Sequence, residues 1–142
     1  NIQEEEDMGA WNYGLFDDDT AYDALIDLKA SSDIIADMER YFDEVIQAEY
    51  ICYDEAHYAL VSAAIIDSVL NGSLYGFDKD DYFEWTSLQK CFDRSSLKCK
   101  AVKAIDAILS NNSELRELWE ENEKLYDAWK EDKLSVQKRL QQ

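Results

Sequence analysis

Apolar residues along this chain return every three or four positions, and no stretch alternates strictly enough to demand a sheet. The pattern predicts an all-α protein: a compact bundle of five to six helices with a nearly all-apolar central helix and a long C-terminal helix. Asp17, Asp18 and Asp19 each suit the cap of a first helix, in which Ala21, Ala24, Leu25 and Leu28 share one face while Asp23 and Asp27 look away. A second helix, starting near Ser31 or Ser32, turns Ile34, Ile35, Met38, Phe42, Val45 and Ile46 inward and leaves Asp33, Asp37 and Glu44 on another face. From about Tyr53 to Leu70 the chain is apolar nearly all round, as expected of a buried central helix, and Gly72 suits its C-terminal cap.

The stretch to Asp81 reads as a loop, with Asp80 or Asp81 capping a short fourth helix that carries Tyr82, Phe83, Trp85, Leu88 and Phe92. A fifth follows Ser95 or Ser96, with Leu97, Ala101, Ala104, Ile105 and Ile108 on its apolar face. After Asn111, Asn112 and Ser113 break the chain, one helix from Glu114 to about Leu140 is predicted, roughly 40 Å long at ~1.5 Å per residue. Leu115, Leu118, Asn122, Leu125 and Trp129 form a seam on it, either core or dimer contact, with the first half expected in the core and the second in solvent.

Composition narrows the class. At 142 residues the chain fits one helical domain, assigned to 8–142 behind an acidic N-terminal extension at 1–7. Its 46% hydrophobic and 13% aromatic content excludes an acidic disordered tail. Cys52, Cys91 and Cys99 match neither a zinc spacing nor a paired disulfide framework, so reduced thiols in a cytoplasmic protein are expected. No apolar run reaches the ~18 residues of a membrane span.

Charge changes the picture most. Residues 1–71 hold eighteen acidic groups against Lys29 and Arg40, whereas 72–142 are nearly balanced, with fourteen acids and twelve bases. The net charge of −18 far exceeds the ~2 to 8 that solubility needs. Such a field attracts cationic partners and repels phosphate, so a basic protein is expected as partner, with no nucleic acid and no membrane; Lys98, Lys100 and Lys103 are too few to reverse that.

Two segments carry a resemblance. Met8-Gly9-Ala10-Trp11-Asn12-Tyr13-Gly14-Leu15-Phe16-Asp17-Asp18-Asp19 is similar to the M-G-x-W-G-x-G-x-F-D-N-D start of a bacterial domain-of-unknown-function family, number 4259. Ser113-Glu114-Leu115-Arg116-Glu117-Leu118-Trp119 resembles the same family's S-E-L-x-E-L-W segment. Asn12 and Asp18 depart from the usual glycine and asparagine. The resemblance implies a helical bacterial domain and brings no catalytic residue to any position.

Candidate chemistry is sparse. Asp17 to Asp19 offer carboxylates for a divalent metal, but consecutive residues point apart, and a helix start, where negative charge is stabilised and exposed amides need an acceptor, is the expected explanation. Asp78, Asp80, Asp81 and Glu84 suggest a calcium loop, yet Phe83 and Gln89 fall where that loop needs glycine and glutamate. His57, the only histidine, is expected to be structural. Trp11, Tyr13 and Phe16, interleaved with Gly9 and Gly14, are expected to fold the leading segment over the bundle.

The expectation is a non-enzymatic, acidic inhibitory binding protein, most concretely an immunity protein that occludes the cationic site of a basic bacterial toxin such as a nuclease. Contacts are assigned to Asp17, Asp18, Asp19, Tyr22, Asp23, Asp27, Asp33, Asp37, Asp43 and Glu44, with Tyr13 or Tyr22 as aromatic anchor, no cofactor or metal, and a monomer or weak dimer. The alternatives are a metal-assisted hydrolase built on Asp17 to Asp19 and a DNA-mimic inhibitor.

Overall fold

A computed structural model describes residues 12–110 and 112–142, so the expectations placed on 1–7, Met8, Gly9, Trp11 and Asn111 lie outside the described residues. Among the described residues there are eight helices: α1 (Asp19–Lys29), α2 (Ile34–Gln47), α3 (Tyr53–Asn71), α4 (Lys79–Thr86), α5 (Gln89–Phe92), α6 (Ser95–Ile108), α7 (Glu114–Glu120) and α8 (Tyr126–Leu140). The all-α expectation holds; the count of five to six does not.

The all-apolar stretch is the axis. α3 touches each of the other seven helices, and from Ala56 to Val69 it buries every residue except Tyr58. Ala56, Ala59, Ala63 and Ala64 let neighbours approach closely. Gly72 ends the helix at φ 72°, a left-handed conformation that only glycine adopts freely. α3 has no side-chain cap of its own; instead the Tyr53 amide donates to Glu114 Oε1 at 2.8 Å, across 61 positions of sequence. A parallel bridge between Ile51 and Ser113 holds these two helix starts together.

The extra helices come from two breaks. The predicted fourth helix divides at Ser87–Leu88, just after Thr86 Oγ1 donates to the Phe83 carbonyl at 2.7 Å and Ser87 Oγ to the Glu84 carbonyl at 2.6 Å, hydroxyls competing for helix acceptors. Its cap is Asp78 rather than Asp80 or Asp81, and Phe83 faces out, 79% exposed. The predicted 40 Å helix divides at 121–125. There Asn122 is buried, its Oδ1 accepts from Leu125 N at 3.2 Å and its carbonyl from Tyr126 N at 2.9 Å, which starts a new helix in a new direction. The reversal stacks Trp119 on Trp129 with centroids 5.8 Å apart.

That fold-back also overturns the expectation of a solvated second half. Trp129, Lys133, Val136, Gln137 and Leu140 of α8 are buried, chiefly against α6 and α3. Near its end, Arg139 clamps the fully buried Asp67 of α3, with Nε 3.1 and 3.0 Å from the two carboxylate oxygens. Asn71 and Tyr75 add to the carboxylate's shell at 2.9 and 2.7 Å. Burial raises the Asp67 pKa, but hydrogen bonds from Arg139, Asn71, Tyr75 and Ser73 outweigh it and hold the group below the usual carboxylate range. The three cysteines are free thiols. No helix among the described residues is long and apolar enough to cross a membrane.

Candidate functional site

The assigned acidic residues divide into three groups. Asp18 is an exception to the surface expectation: it is 3% exposed and points inward. As N-cap of α1, its Oδ1 accepts from Thr20 N at 2.7 Å, while Oδ2 accepts from the Tyr53 hydroxyl and lies 3.4 Å from His57 Nε2. Three consecutive aspartates are equivalent caps by composition; only the buried partners on α3 decide which one turns in. Asp17 is half-buried behind it and Asp19 is exposed, and among the described residues no three His, Cys, Asp or Glu side chains converge on a point that could hold a metal ion.

Around Asp18 the structure is closed. His57 Nδ1 is 3.1 Å from the Tyr53 carbonyl, and burial pushes the imidazole below its ordinary pKa against the opposing pull of Asp18. Lys133, also buried, donates to Asp132 Oδ2 at 2.7 Å and to the Tyr13 carbonyl at 3.4 Å, fastening the leading segment to α8. Burial lowers the Lys133 pKa as well. The void lined by Tyr13, Gly14, Asp18, His57, Trp119 and Lys133 is about 10 Å³, room for one water at most and none for a substrate. This cluster is a lock, and His57 is part of it.

A second group is compensated internally. The Tyr58 hydroxyl donates to Asp27, and the Tyr58 ring meets Tyr41 edge-on at 5.1 Å. Arg40 lies 4.7 Å from the Tyr41 centroid and reaches Asp37 at 3.4 Å and Glu44 at 3.2 Å. Lys100 of α6 bridges Asp43 at 3.1 Å and Glu39 at 3.5 Å. The acidic edges of α1 and α2 thus form one continuous strip, but much of its charge is already answered. Asp33 is exposed while capping α2 through Ala36 N at 3.2 Å.

The third group stands open. Asp19 and Asp23 make no ion pair among the described residues, and both are exposed. Tyr22, 47% exposed, and Ile26, 61% exposed, lie on the same face, since positions 19, 22, 23 and 26 follow the i, i+3, i+4, i+7 rule. The family described as "Domain of unknown function (DUF4259)" matches residues 9–132. The chain belongs to this family. No curated protein and no solved structure matches it.

Within this DUF4259 chain the match runs from ahead of α1 into α8, so it spans the open face and all of the lock but Lys133. Ile26 is the member of that face missing from the sequence assignment. Its signal was present: an isoleucine between Asp23 and Asp27 breaks the polar side of the α1 pattern. Tyr13, the other candidate anchor, is only marginally exposed at 37%, its carbonyl held by Lys133.

Proposed function

We propose that this DUF4259 protein is an inhibitory binding protein that docks a basic partner on the outer face of α1. The partner is a bacterial toxin, such as a nuclease, whose cationic site the acidic face covers. The observation that carries this reading is the exposed Tyr22–Ile26 pair, which alternates along one face of α1 with the carboxylates of Asp19 and Asp23, neither of them in an ion pair among the described residues. Interfaces of this kind combine a desolvated aromatic or aliphatic anchor with a charged rim that selects the partner. A protein that attracts phosphate presents a basic cleft, and the net charge of −18 draws such a surface from a distance without any chemistry. Steering of this sort raises association to ~10⁸ to 10⁹ M⁻¹s⁻¹ at low salt, fast enough to intercept a toxin early.

Co-expression with the product of the adjacent gene tests it. Wild-type chain protects cells from that product, and the variant combining Asp19→Asn, Tyr22→Ala and Asp23→Asn does not, although it folds, because all three side chains are exposed. Protection that survives the triple substitution, or an adjacent product that is neither basic nor bound, removes the proposal.

A further inference from the structure

The lock around Asp18 has one thin wall. Three helices supply most of it, with His57 and Leu60 on α3, Trp119 on α7, and Trp129 and Lys133 on α8; the rest comes from Tyr13, Gly14 and Leu15, which lie outside any helix. Residues 13–17 are held by a turn in which the Asp17 amide donates to the Gly14 carbonyl at 3.1 Å, by the 3.4 Å bond from Lys133 to the Tyr13 carbonyl, by buried Leu15, and by the Phe16 ring against Phe77. The turn is tight, since a Cβ at Gly14 would come within 2.7 Å of Asp17 Oδ2. It is the wall that can yield without unfolding a helix.

Charge inside the lock balances in only one protonation state. Asp18, His57 and Lys133 are its buried ionisable side chains, so one carboxylate meets one ammonium while the imidazole is neutral. An imidazolium would leave a positive charge in excess, in a void of about 10 Å³ that has room for one water at most. The groups at its edge are turned to other tasks. Asp132 pairs with Lys133, Asp17 also acts on Lys133, Asp54 is exposed on the first turn of α3, and Glu114 of α7 accepts from the Tyr53 amide. Asp18 Oδ2, the oxygen 3.4 Å from His57 Nε2, already accepts from the Tyr53 hydroxyl. Burial accordingly holds the imidazole below its ordinary pKa, with Lys133 pushing the same way against Asp18, the Tyr53 carbonyl and Asp54.

We infer that residues 13–17 form an acid-released latch: when His57 takes up a proton, the segment lifts from the bundle and admits water, while α3, α7 and α8 stay folded. Release also removes the Asp18 cap from α1, so the Thr20 amide loses its acceptor. The sign follows from linkage. Once hydrated, His57 binds its proton at an ordinary pKa of ~6.5, and when enclosed only at a lower pH, so falling pH favours the open form by up to tenfold per pH unit between the two values. The device does not rest on the toxin-inhibitor reading: it concerns the lock rather than the outer face of α1, and it stands whatever α1 binds.

Amide hydrogen exchange of the full chain, followed by NMR from about pH 7.5 to about pH 5 and corrected for the intrinsic rate, tests it. The opening constant at the Asp17 and Thr20 amides is expected to rise as pH falls below ~6.5, by up to tenfold per unit, while Ala63 and Ile65 in α3 stay about a hundredfold or more better protected. His57 is the only histidine, so its imidazole resonance reports the titration in the same sample, with a midpoint below ~6.5. In His57→Gln the slope should vanish at both amides. Lys133→Met separates charge from fastening: it frees the Tyr13 carbonyl and raises opening at neutral pH, but an imidazolium then balances Asp18, so the slope should flatten or reverse. Opening at Asp17 and Thr20 that acid leaves unchanged or reduces overturns the proposal. So does a slope that survives His57→Gln or keeps its full size in Lys133→Met, and so does protection lost equally at Ala63 and Ile65, which is global unfolding.

Discussion

Arg139→Met removes the one cation among the described residues that pairs with Asp67, whose side chain has no exposure, while roughly preserving the volume of the arginine stem. Three contacts disappear, Nε at 3.1 and 3.0 Å and Nη2 at 2.9 Å, leaving the carboxylate with the neutral donors Asn71, Tyr75 and Ser73. Breaking a buried pair from one side costs about 3–5 kcal/mol. Arg139 is 37% exposed and the neutral donors remain, so solvent screening reduces the expected loss to about 2 kcal/mol. At ~2–4 °C per kcal/mol for a chain of this size, Tm should fall by about 4–8 °C at pH 7.

The pH dependence carries the sign. In the wild type Asp67 titrates below its unfolded value, so its contribution is present above the unfolded pKa of ~3.9 and is lost as pH falls through the lower folded value. In Arg139→Met the largest influence opposing burial is gone, and the folded pKa rises above its wild-type value. The deficit is then largest at neutral pH and shrinks on acidification toward pH ~5 as Asp67 takes up a proton. Asp67→Asn, which leaves Arg139 free to turn to water, should cost less, about 1 kcal/mol. Circular-dichroism melts of the three proteins at pH 7 and 5 decide. A shift under ~1 °C in Arg139→Met, a deficit that grows on acidification, or Asp67→Asn being the less stable variant refutes the reasoning.

Other substitutions probe the rest of the frame. His57 is the only histidine and its folded pKa lies below ~6.5, so wild-type stability should decline as pH falls from about 7 through the unfolded value, and His57→Gln should flatten that slope; a wild type that gains stability there contradicts a buried neutral imidazole. Asn122→Ala removes the side-chain acceptor at the start of α8 and should cost about 1 kcal/mol in urea unfolding; an unchanged midpoint means the α7–α8 break does not depend on it. Gly72→Ala meets no steric neighbour but forces a Cβ into φ 72°, so a loss of about 1 kcal/mol is expected from backbone conformation alone, and a stabilised variant contradicts it.

The 3.6-residue pattern made α1, α2, α3 and α6 readable, because each has an apolar face or, for α3, an apolar surface that only burial satisfies. Gly72 was readable for the same reason: a left-handed cap has one favoured residue. Asn122 was not, since an asparagine in a three-four seam looks the same whether it continues a helix or restarts one, and the decision belongs to the Trp119–Trp129 stack. Asp18 was misplaced on the surface because its inward partners, Tyr53 and His57, lie 35 and 39 positions away in sequence. The acidic face was legible as charge but not as balance: Arg40 and Lys100 neutralise part of it through contacts that no spacing reveals, and Asp19, Asp23 and their apolar neighbours Tyr22 and Ile26 remain.

The most direct test of the inhibitor proposal is the association rate between this chain and the basic product of the adjacent gene, measured by stopped flow from ~0.02 to ~0.5 M salt, across which the Debye length shrinks several-fold. A rate that falls by about tenfold or more, with the slope flattened by Asp19→Asn and Asp23→Asn, is the expected result. A rate indifferent to salt, or a slope that those two substitutions leave unchanged, contradicts it.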